Sequence, residues 1–149
     1  EDKVFGDKPV PYEKYRIPGF IVAPDTAPLI DKRIVSQIDM APTLLSLLGI
    51  DGQMPFIGRD LTQQNPAPGR AIMQFGDNAA YMTEQGICYL QPSKSPLFET
   101  FDGAPEGDLC AKALAYATWT NFTYDHEAYN VQSFNQYDID NQETVNHPE

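Results

Sequence analysis

The chain has 149 residues, of which 42% are hydrophobic and 11% aromatic, and this apolar content is too high for a disordered chain. Its 21 acidic and 10 basic residues give a formal net charge of −11, which would repel nucleic-acid phosphates and excludes nucleic acid as an expected partner. No apolar run approaches the roughly 20 residues that a membrane-spanning helix needs.

The first half of the sequence predicts one strand and one helix. Residues 19–23 contain the continuous apolar run Phe20-Ile21-Val22, which is typical of a strand buried on both faces of a parallel sheet. After a Pro-rich loop, Asp39 is placed to cap a helix over residues 40–48, with Pro42 in its first turn. Leu44, Leu45 and Leu48 share one face of this helix, which predicts that it packs against an apolar surface, and Gly49 or Gly52 supplies its left-handed stop.

The second half predicts a different architecture. Four β-like runs, at residues 70–75, 79–83, 87–91 and 97–101, are separated by short segments of turn-forming residues, and this spacing indicates an antiparallel meander. Asp108 opens an Ala-rich helix that could cover one face of the meander. Trp119, Phe122 and Tyr124 are expected to complete the same core. Residues 131–149 are rich in Gln, Asn, Asp and Glu and predict a polar tail.

The cysteines leave two interpretations open. Cys88 and Cys110 are the two cysteines of the chain. Two free buried thiols are the simpler interpretation, and one disulfide in an oxidising compartment is the alternative.

The residues that could carry chemistry do not form a recognisable set. The two histidines, His126 and His147, have no metal-ligand spacing, and His126 is expected on the surface at the end of a helix. No serine lies in a Gly-x-Ser-x-Gly elbow. Thr43 is explained by local backbone hydrogen bonds, and Asp39 and Asp51 by capping and turn roles. The sequence therefore predicts no catalytic, cofactor-binding or metal-binding residue in this chain.

The segment from Tyr15 to Leu61 carries a family resemblance. It contains RIPGFIVAPD and, after a variable loop, RIVSQIDMAPTLLSLLGIDGQMPFIGRDL. This resembles the sulfatase and phosphoglycerol-transferase branch of the alkaline phosphatase superfamily, of the Gram-negative, lipoteichoic acid synthase-like type. Twelve positions match the family pattern in order: Ser36, Gln37, Asp39, Pro42, Thr43, Leu44, Leu45, Leu47, Gly49, Gly58, Arg59 and Leu61. The sequences RAIMQF, AAYMTE and ALAYATW extend the resemblance to about Tyr129.

The resemblance implies a fold class and a domain organisation. The fold class is α/β, present here as an α+β fragment. Residues 1–61 would form the C-terminal edge of the sulfatase-like α/β domain and residues 62–69 a linker. Residues 70–130 would form a small antiparallel sheet with one helix, followed by the polar tail at 131–149.

The resemblance also implies an activity that this chain could not perform alone. The family's nucleophile, acidic metal ligand and Asp-His metal pair lie upstream of the segment that corresponds to Lys3-Val4-Phe5-Gly6. The chain begins Glu1-Asp2-Lys3, without a starting Met or a leader, and we expect an excised or processed segment. The intact enzyme would be a membrane-anchored transferase or hydrolase on the periplasmic side of the bacterial inner membrane. It would use one divalent cation, Mn, Mg or Zn, and its membrane spans would lie in the missing N-terminal part.

Two further expectations concern partners. The remainder of the same polypeptide is the expected partner, and exposed sheet edges in residues 4–48 predict a dimer or higher oligomer of the isolated chain. The rival interpretation is a free-standing extracytoplasmic module that binds glycans or lipid headgroups through Tyr81, Tyr89, Phe98 and Phe101. The apolar neighbours of Tyr81 and Tyr89 favour a core role for both instead.

Overall fold

The computed structural model describes residues 10–24, 27–50, 52, 57–63, 67–105 and 107–129. The chain divides into two compact units. The first combines Glu1–Val35 with Gly69–Ala113, and the second combines Ser36–Pro68 with Leu114–Glu149. The domain bounds expected from the sequence stay a prediction.

An antiparallel sheet of four strands dominates the first unit, in the order β1-β2-β3-β4. The strands are β1 Ala71–Phe75, β2 Asn78–Thr83, β3 Gly86–Leu90 and β4 Leu97–Thr100. Phe75 pairs with Asn78 across the first hairpin, so the connection is the two-residue turn Gly76-Asp77, in which Gly76 adopts a φ of +55° that glycine tolerates best. The predicted α+β character and the meander are confirmed.

The sheet is buried on both faces at its centre. The register aligns Met73 with Ala80 and Ala80 with Tyr89 on one face, where Ile87 completes a buried apolar cluster. On the opposite face, Tyr81 lies beside Cys88, and both side chains are buried. The predicted core role of Tyr81 and Tyr89 is therefore confirmed.

A short 3₁₀ turn, Tyr12–Tyr15, supplies partly buried aromatic rings to the apolar cluster. The ring centroids of Tyr12 and Phe101 lie 5.5 Å apart. Burial, with smaller contributions from the nearby carboxylates of Glu99 and Glu13, raises the pKa of Tyr89 to about 12. The unfolded chain would lose this proton first, so the stabilisation from Tyr89 is complete below pH 10 and is lost as the pH rises towards 12.

A disulfide joins β3 to the second helix of the structure, α2, which runs Leu109–Asp125. The Cα atoms of Cys88 and Cys110 lie 5.2 Å apart, within the span of a disulfide. The simpler interpretation, two free thiols, is therefore wrong. The sequence could not decide between them because the 22-residue separation becomes a contact only when Cys88 in the central hairpin meets the first turn of α2.

The predicted strand at residues 19–23 is wrong for this structure. These residues lie in a stretch without regular secondary structure, and Phe20 and Val22 are 85% and 96% exposed. A strand needs a neighbour for its backbone groups, and in the described part of the chain the sheet consists of β1 to β4 alone.

The first helix, α1, spans Met40–Leu47 in the second unit, close to the predicted bounds. It ends in a left-handed Gly49 (φ +66°), where the Gly49 amide donates to the Ser46 carbonyl and the Ile50 amide to the Leu45 carbonyl, a Schellman motif. The prediction that the leucine face of α1 packs against an apolar surface is wrong, because Leu44 and Leu48 are 42% and 70% exposed.

The helix α2 begins directly after Asp108, as predicted. Leu109 and Ala113 are buried, but Tyr124 is 78% exposed and does not complete a core. No helix of the described residues is long and apolar enough to cross a membrane. The predicted tail and His147 lie outside the described residues.

We expect the disulfide to contribute about 3 kcal/mol to stability, because it closes a loop of about 20 residues in the unfolded chain. Replacing both Cys88 and Cys110 by Ala should lower the free energy of unfolding by this amount, and the urea midpoint should fall in proportion. A reducing agent should lower the midpoint of the parent chain and leave that of the double variant unchanged. An unchanged parent midpoint under reduction, with both thiols shown free by labelling, would contradict this expectation.

Candidate functional site

The residues that carry the family resemblance meet at the buried carboxylate of Asp39, which is 2% exposed. Its Oδ2 accepts the Ser36 amide at 2.8 Å, as part of a capping box on the 3₁₀ turn Gln37–Asp39. Its Oδ1 accepts the Arg59 amide at 2.8 Å. One carboxylate thus fixes the entry to α1 and a loop 20 residues further along the chain.

Thr43 makes a second connection between the same two segments. Its Oγ1 donates to the Asp39 carbonyl at 2.6 Å and accepts the Leu61 amide at 3.0 Å. The side chain is 3% exposed and is the buried residue of α1. We call Ser36, Asp39, Thr43, Arg59 and Leu61 the clasp. The predicted local bonding of Thr43 is confirmed, and its contact with Leu61 is an additional, long-range role.

Gly58 brings the loop against the start of α1. A Cβ atom at this position would lie 2.0 Å from the Ile38 carbonyl oxygen and 3.1 Å from Cγ of Pro42. The nearest obstacle is backbone, which cannot rotate away as a side chain would. Glycine is therefore required at this position for the Arg59 and Leu61 amides to reach the side chains of Asp39 and Thr43.

Further polar contacts hold the loop that begins at Gly58. The Arg59 guanidinium donates to the Pro68 carbonyl at 2.7 Å, and the Thr62 hydroxyl lies 2.7 Å from Oδ1 of Asp60 and 3.1 Å from the Ser46 hydroxyl. Burial acts to raise the pKa of Asp60, but hydrogen bonds from the Thr62 hydroxyl, the Thr62 amide and Ser46 outweigh it, and the pKa is lowered.

This arrangement holds backbone in place through hydrogen bonds between side chains and main-chain groups. Both oxygens of Asp39 accept main-chain amides, and the Thr43 hydroxyl bonds to main-chain groups on both sides. The predicted capping of α1 by Asp39 is wrong, because its side chain makes no cap hydrogen bond to that helix and bonds instead to the Ser36 amide that precedes it. Sequence reasoning also missed the bond from the Arg59 amide, for which the pattern Gly-Arg-x-Leu was the available signal.

The remaining candidates are separated from one another. His126 is exposed at the end of α2, as predicted; its ring stacks on Phe122 at 4.2 Å, and its Nδ1 lies 2.9 Å from the Phe122 carbonyl oxygen. Asp51 and Ser133 lie outside the described residues. Within the described ranges, no group of three or more His, Cys, Asp or Glu side chains could hold a metal ion.

Comparison with known proteins assigns the chain a relative. No family model matches the sequence. The structure is similar to that of a protein in the alkaline phosphatase superfamily from Vibrio parahaemolyticus, with a TM-score of 0.74 and 32% sequence identity. This chain is similar to part of an alkaline phosphatase superfamily protein. The match covers 86% of this chain and 34% of the Vibrio chain, so our chain spans about a third of its relative.

The superfamily resemblance predicted from the sequence is confirmed at this level. All five residues of the clasp belong to the motif that carries the resemblance in the sequence, and they bind the loop to α1.

We expect Thr43→Val to destabilise the second unit by about 1–3 kcal/mol, because it removes the acceptor of the Leu61 amide without changing the side-chain volume much. Thr43→Ser keeps the hydroxyl and is the matched control. Urea unfolding followed by the fluorescence of Trp119 measures the loss, and hydrogen exchange of the Leu61 amide should accelerate in Thr43→Val and much less in Thr43→Ser. Equal exchange in both variants would show that Thr43 does not hold this amide.

A pair of glycine substitutions tests the close approach of the loop. Gly58→Ala should destabilise the chain by about 1–3 kcal/mol or more, because the added methyl group meets the Ile38 carbonyl. Gly19→Ala, where no atom lies within 4 Å of the added Cβ, should change stability by less than about 1 kcal/mol. Urea midpoints from circular dichroism compare the two. Equal midpoints would mean that the loop approaches α1 less closely than the structure shows.

Proposed function

We propose that this chain is the C-terminal part of a membrane-anchored, metal-dependent phosphoglycerol transferase or sulfatase-like enzyme that acts on envelope lipids or glycans. The observation that carries the proposal is the match to 34% of an alkaline phosphatase superfamily protein, together with the ordered motif that forms the clasp. Phosphoglycerol transfer is favoured over sulfate or phosphoethanolamine chemistry because KVFGDKPVPYEKYRIPG at residues 3–19 resembles that subgroup.

The role of this chain in such an enzyme is structural. The clasp fixes the loop from Gly58 to Leu61 against α1, and the described residues do not offer the convergent ligand set that a divalent cation needs. The cation, whether Mn, Mg or Zn, would be held by the rest of the polypeptide, where it would activate the nucleophile and stabilise charge on the transferred group. This chain alone would catalyse nothing.

The disulfide supports a location on the periplasmic side of the inner membrane. Structural disulfides persist in oxidising compartments and are rare in the cytosol, and Cys88 is fully buried beside Tyr81 in the sheet. The membrane anchor would lie in the part of the polypeptide that precedes this sequence.

A free-standing module that binds glycans or lipid headgroups is the less favoured function. Such a module would display aromatic rings on its surface, whereas Tyr81 and Tyr89 are both 5% exposed. Phe98 and Phe101 are only partly exposed. The meander therefore uses these aromatic residues mainly in its core.

An activity assay compares this chain with the product of the complete gene. With chromogenic phosphodiester, phosphomonoester or sulfate ester substrates and added Mn or Zn, the purified 149-residue chain should give no turnover above buffer, because its described residues offer no convergent ligand set. The complete product should turn over at least one substrate in a metal-dependent way, and its sequence should contain an Asp-His pair shortly before Glu1.

Two results would contradict the proposal. One is turnover by the 149-residue chain that survives purification and is abolished by His126→Ala. The other is a complete gene product without the upstream Asp-His pair or without a Thr or Ser nucleophile before it.

A further inference from the structure

The disulfide between Cys88 and Cys110 joins two residues in different surroundings. Cys88 lies in β3 and is fully buried, and its pairing partners in the neighbouring strands are Tyr81 and Phe98, which share its face of the sheet. Cys110 is the second residue of α2 and is partly exposed. Dissolved reagents therefore reach this disulfide from the α2 side.

Small residues leave the approach to Cys110 open. Gly107 precedes it by three positions, and among the described residues no atom lies within 4 Å of a Cβ atom added there. Ala111 follows it, is exposed and carries a single methyl group. A thiolate breaks a disulfide by direct attack on one of its sulfur atoms, and access helps to decide which one. In the folded chain the accessible sulfur is that of Cys110.

The disulfide is a main attachment of the start of α2. Among the first five residues of this helix, Leu109 and Ala113 are buried, whereas Ala111 and Lys112 are exposed. The ion pair of Lys112 joins it to Asp108 in the same turn and so does not tie the helix to the sheet. Since a helix of this length is marginal without tertiary contacts, the first turns of α2 depend on the bond to Cys88.

The sheet has its own reasons to stay paired without this bond. β3 is hydrogen-bonded to β2 and to β4, its neighbours along the chain. The buried apolar cluster that includes Ile87 and Tyr89 lies on the opposite face from Cys88, because successive side chains of a strand alternate between faces. Loss of the disulfide should therefore loosen the start of α2 before it affects the strands.

We propose that Cys110 is a site of thiol–disulfide exchange with an external dithiol, and that this exchange releases the start of α2 from the sheet. A thiolate of the dithiol attacks Sγ of Cys110, the bond to Cys88 breaks, and Cys88 leaves with the electron pair and takes a proton from solvent. The second thiol of the reagent then attacks the reagent's own sulfur in the mixed disulfide, and Cys110 leaves in the same way. The protein disulfide gains two electrons and two protons, which the dithiol loses as it becomes a disulfide.

This device goes beyond the proposed function and does not depend on it, because every residue in it belongs to the first unit. The start of α2 is attached while the disulfide is intact, and a dithiol detaches it. The attachment therefore responds to the redox state of the surroundings.

Trapping the mixed disulfide tests the site of attack. The folded 149-residue chain reacts briefly with the monothiol glutathione, acid stops the reaction, and the remaining thiols are alkylated before peptide mapping. Glutathione should be found on Cys110 and the alkyl group on Cys88 at least about 10-fold more often than the reverse, because a buried sulfur is attacked only after local opening. The same reaction in unfolding urea is the control and should give both adducts in similar amounts. Similar amounts in the folded chain, or an excess on Cys88, would overturn the proposal.

Hydrogen exchange measures the release of the helix. The amides of residues 113–116 bond to carbonyl groups at the start of α2. Dithiothreitol should accelerate their exchange at least about 10-fold, while the β3 amides keep their protection. In the double variant Cys88→Ala, Cys110→Ala, residues 113–116 should exchange rapidly with and without the reagent.

Two results of this measurement would overturn the release. Unchanged exchange of residues 113–116 in the reduced chain would show that α2 is held without the disulfide. Equal acceleration in β3 would show that the bond supports the whole unit and not one attachment. If the double variant does not fold, the reduced parent chain supplies the comparison, and the mapping of the mixed disulfide on the oxidised chain still decides the site of attack.

Discussion

The carboxylate of Asp39 organises the part of the molecule that carries the family resemblance. Its two oxygens accept the amides of Ser36 and Arg59, which lie on two separate segments of the chain. A buried carboxylate is stable only when its hydrogen-bonding capacity is used, so the folding of α1 and the position of the loop at Gly58 depend on each other. Thr43 adds the Leu61 amide to the same arrangement.

Local patterns predicted much of the fold correctly. The four strands and their turns follow from short β-like runs separated by Gly, Asp and Pro at hairpin spacing, and antiparallel hairpins form between neighbours in sequence. The stop of α1 at Gly49 follows from capping chemistry, which also acts over a few residues, and α2 begins directly after Asp108 as predicted. The core roles of Tyr81 and Tyr89 were readable because both faces of their strands are apolar.

The errors concern properties that depend on distant parts of the chain. Leu44 and Leu48 share a helical face in the sequence, but exposure depends on what packs against that face, and in the structure the buried residue is Thr43 with its bond to Leu61. The pairing of Cys88 with Cys110 required the position of α2 relative to β3. The long-range half of the clasp was missed for the same reason, although each of its residues belongs to the motif.

The motif residues therefore have a different role from the catalytic groups of the proposed enzyme. A catalytic group needs lone pairs or protons directed towards a substrate, whereas Asp39 and Thr43 direct theirs at main-chain amides and carbonyls. A motif made of such residues specifies a local backbone path, and it can identify a relative without locating an active site.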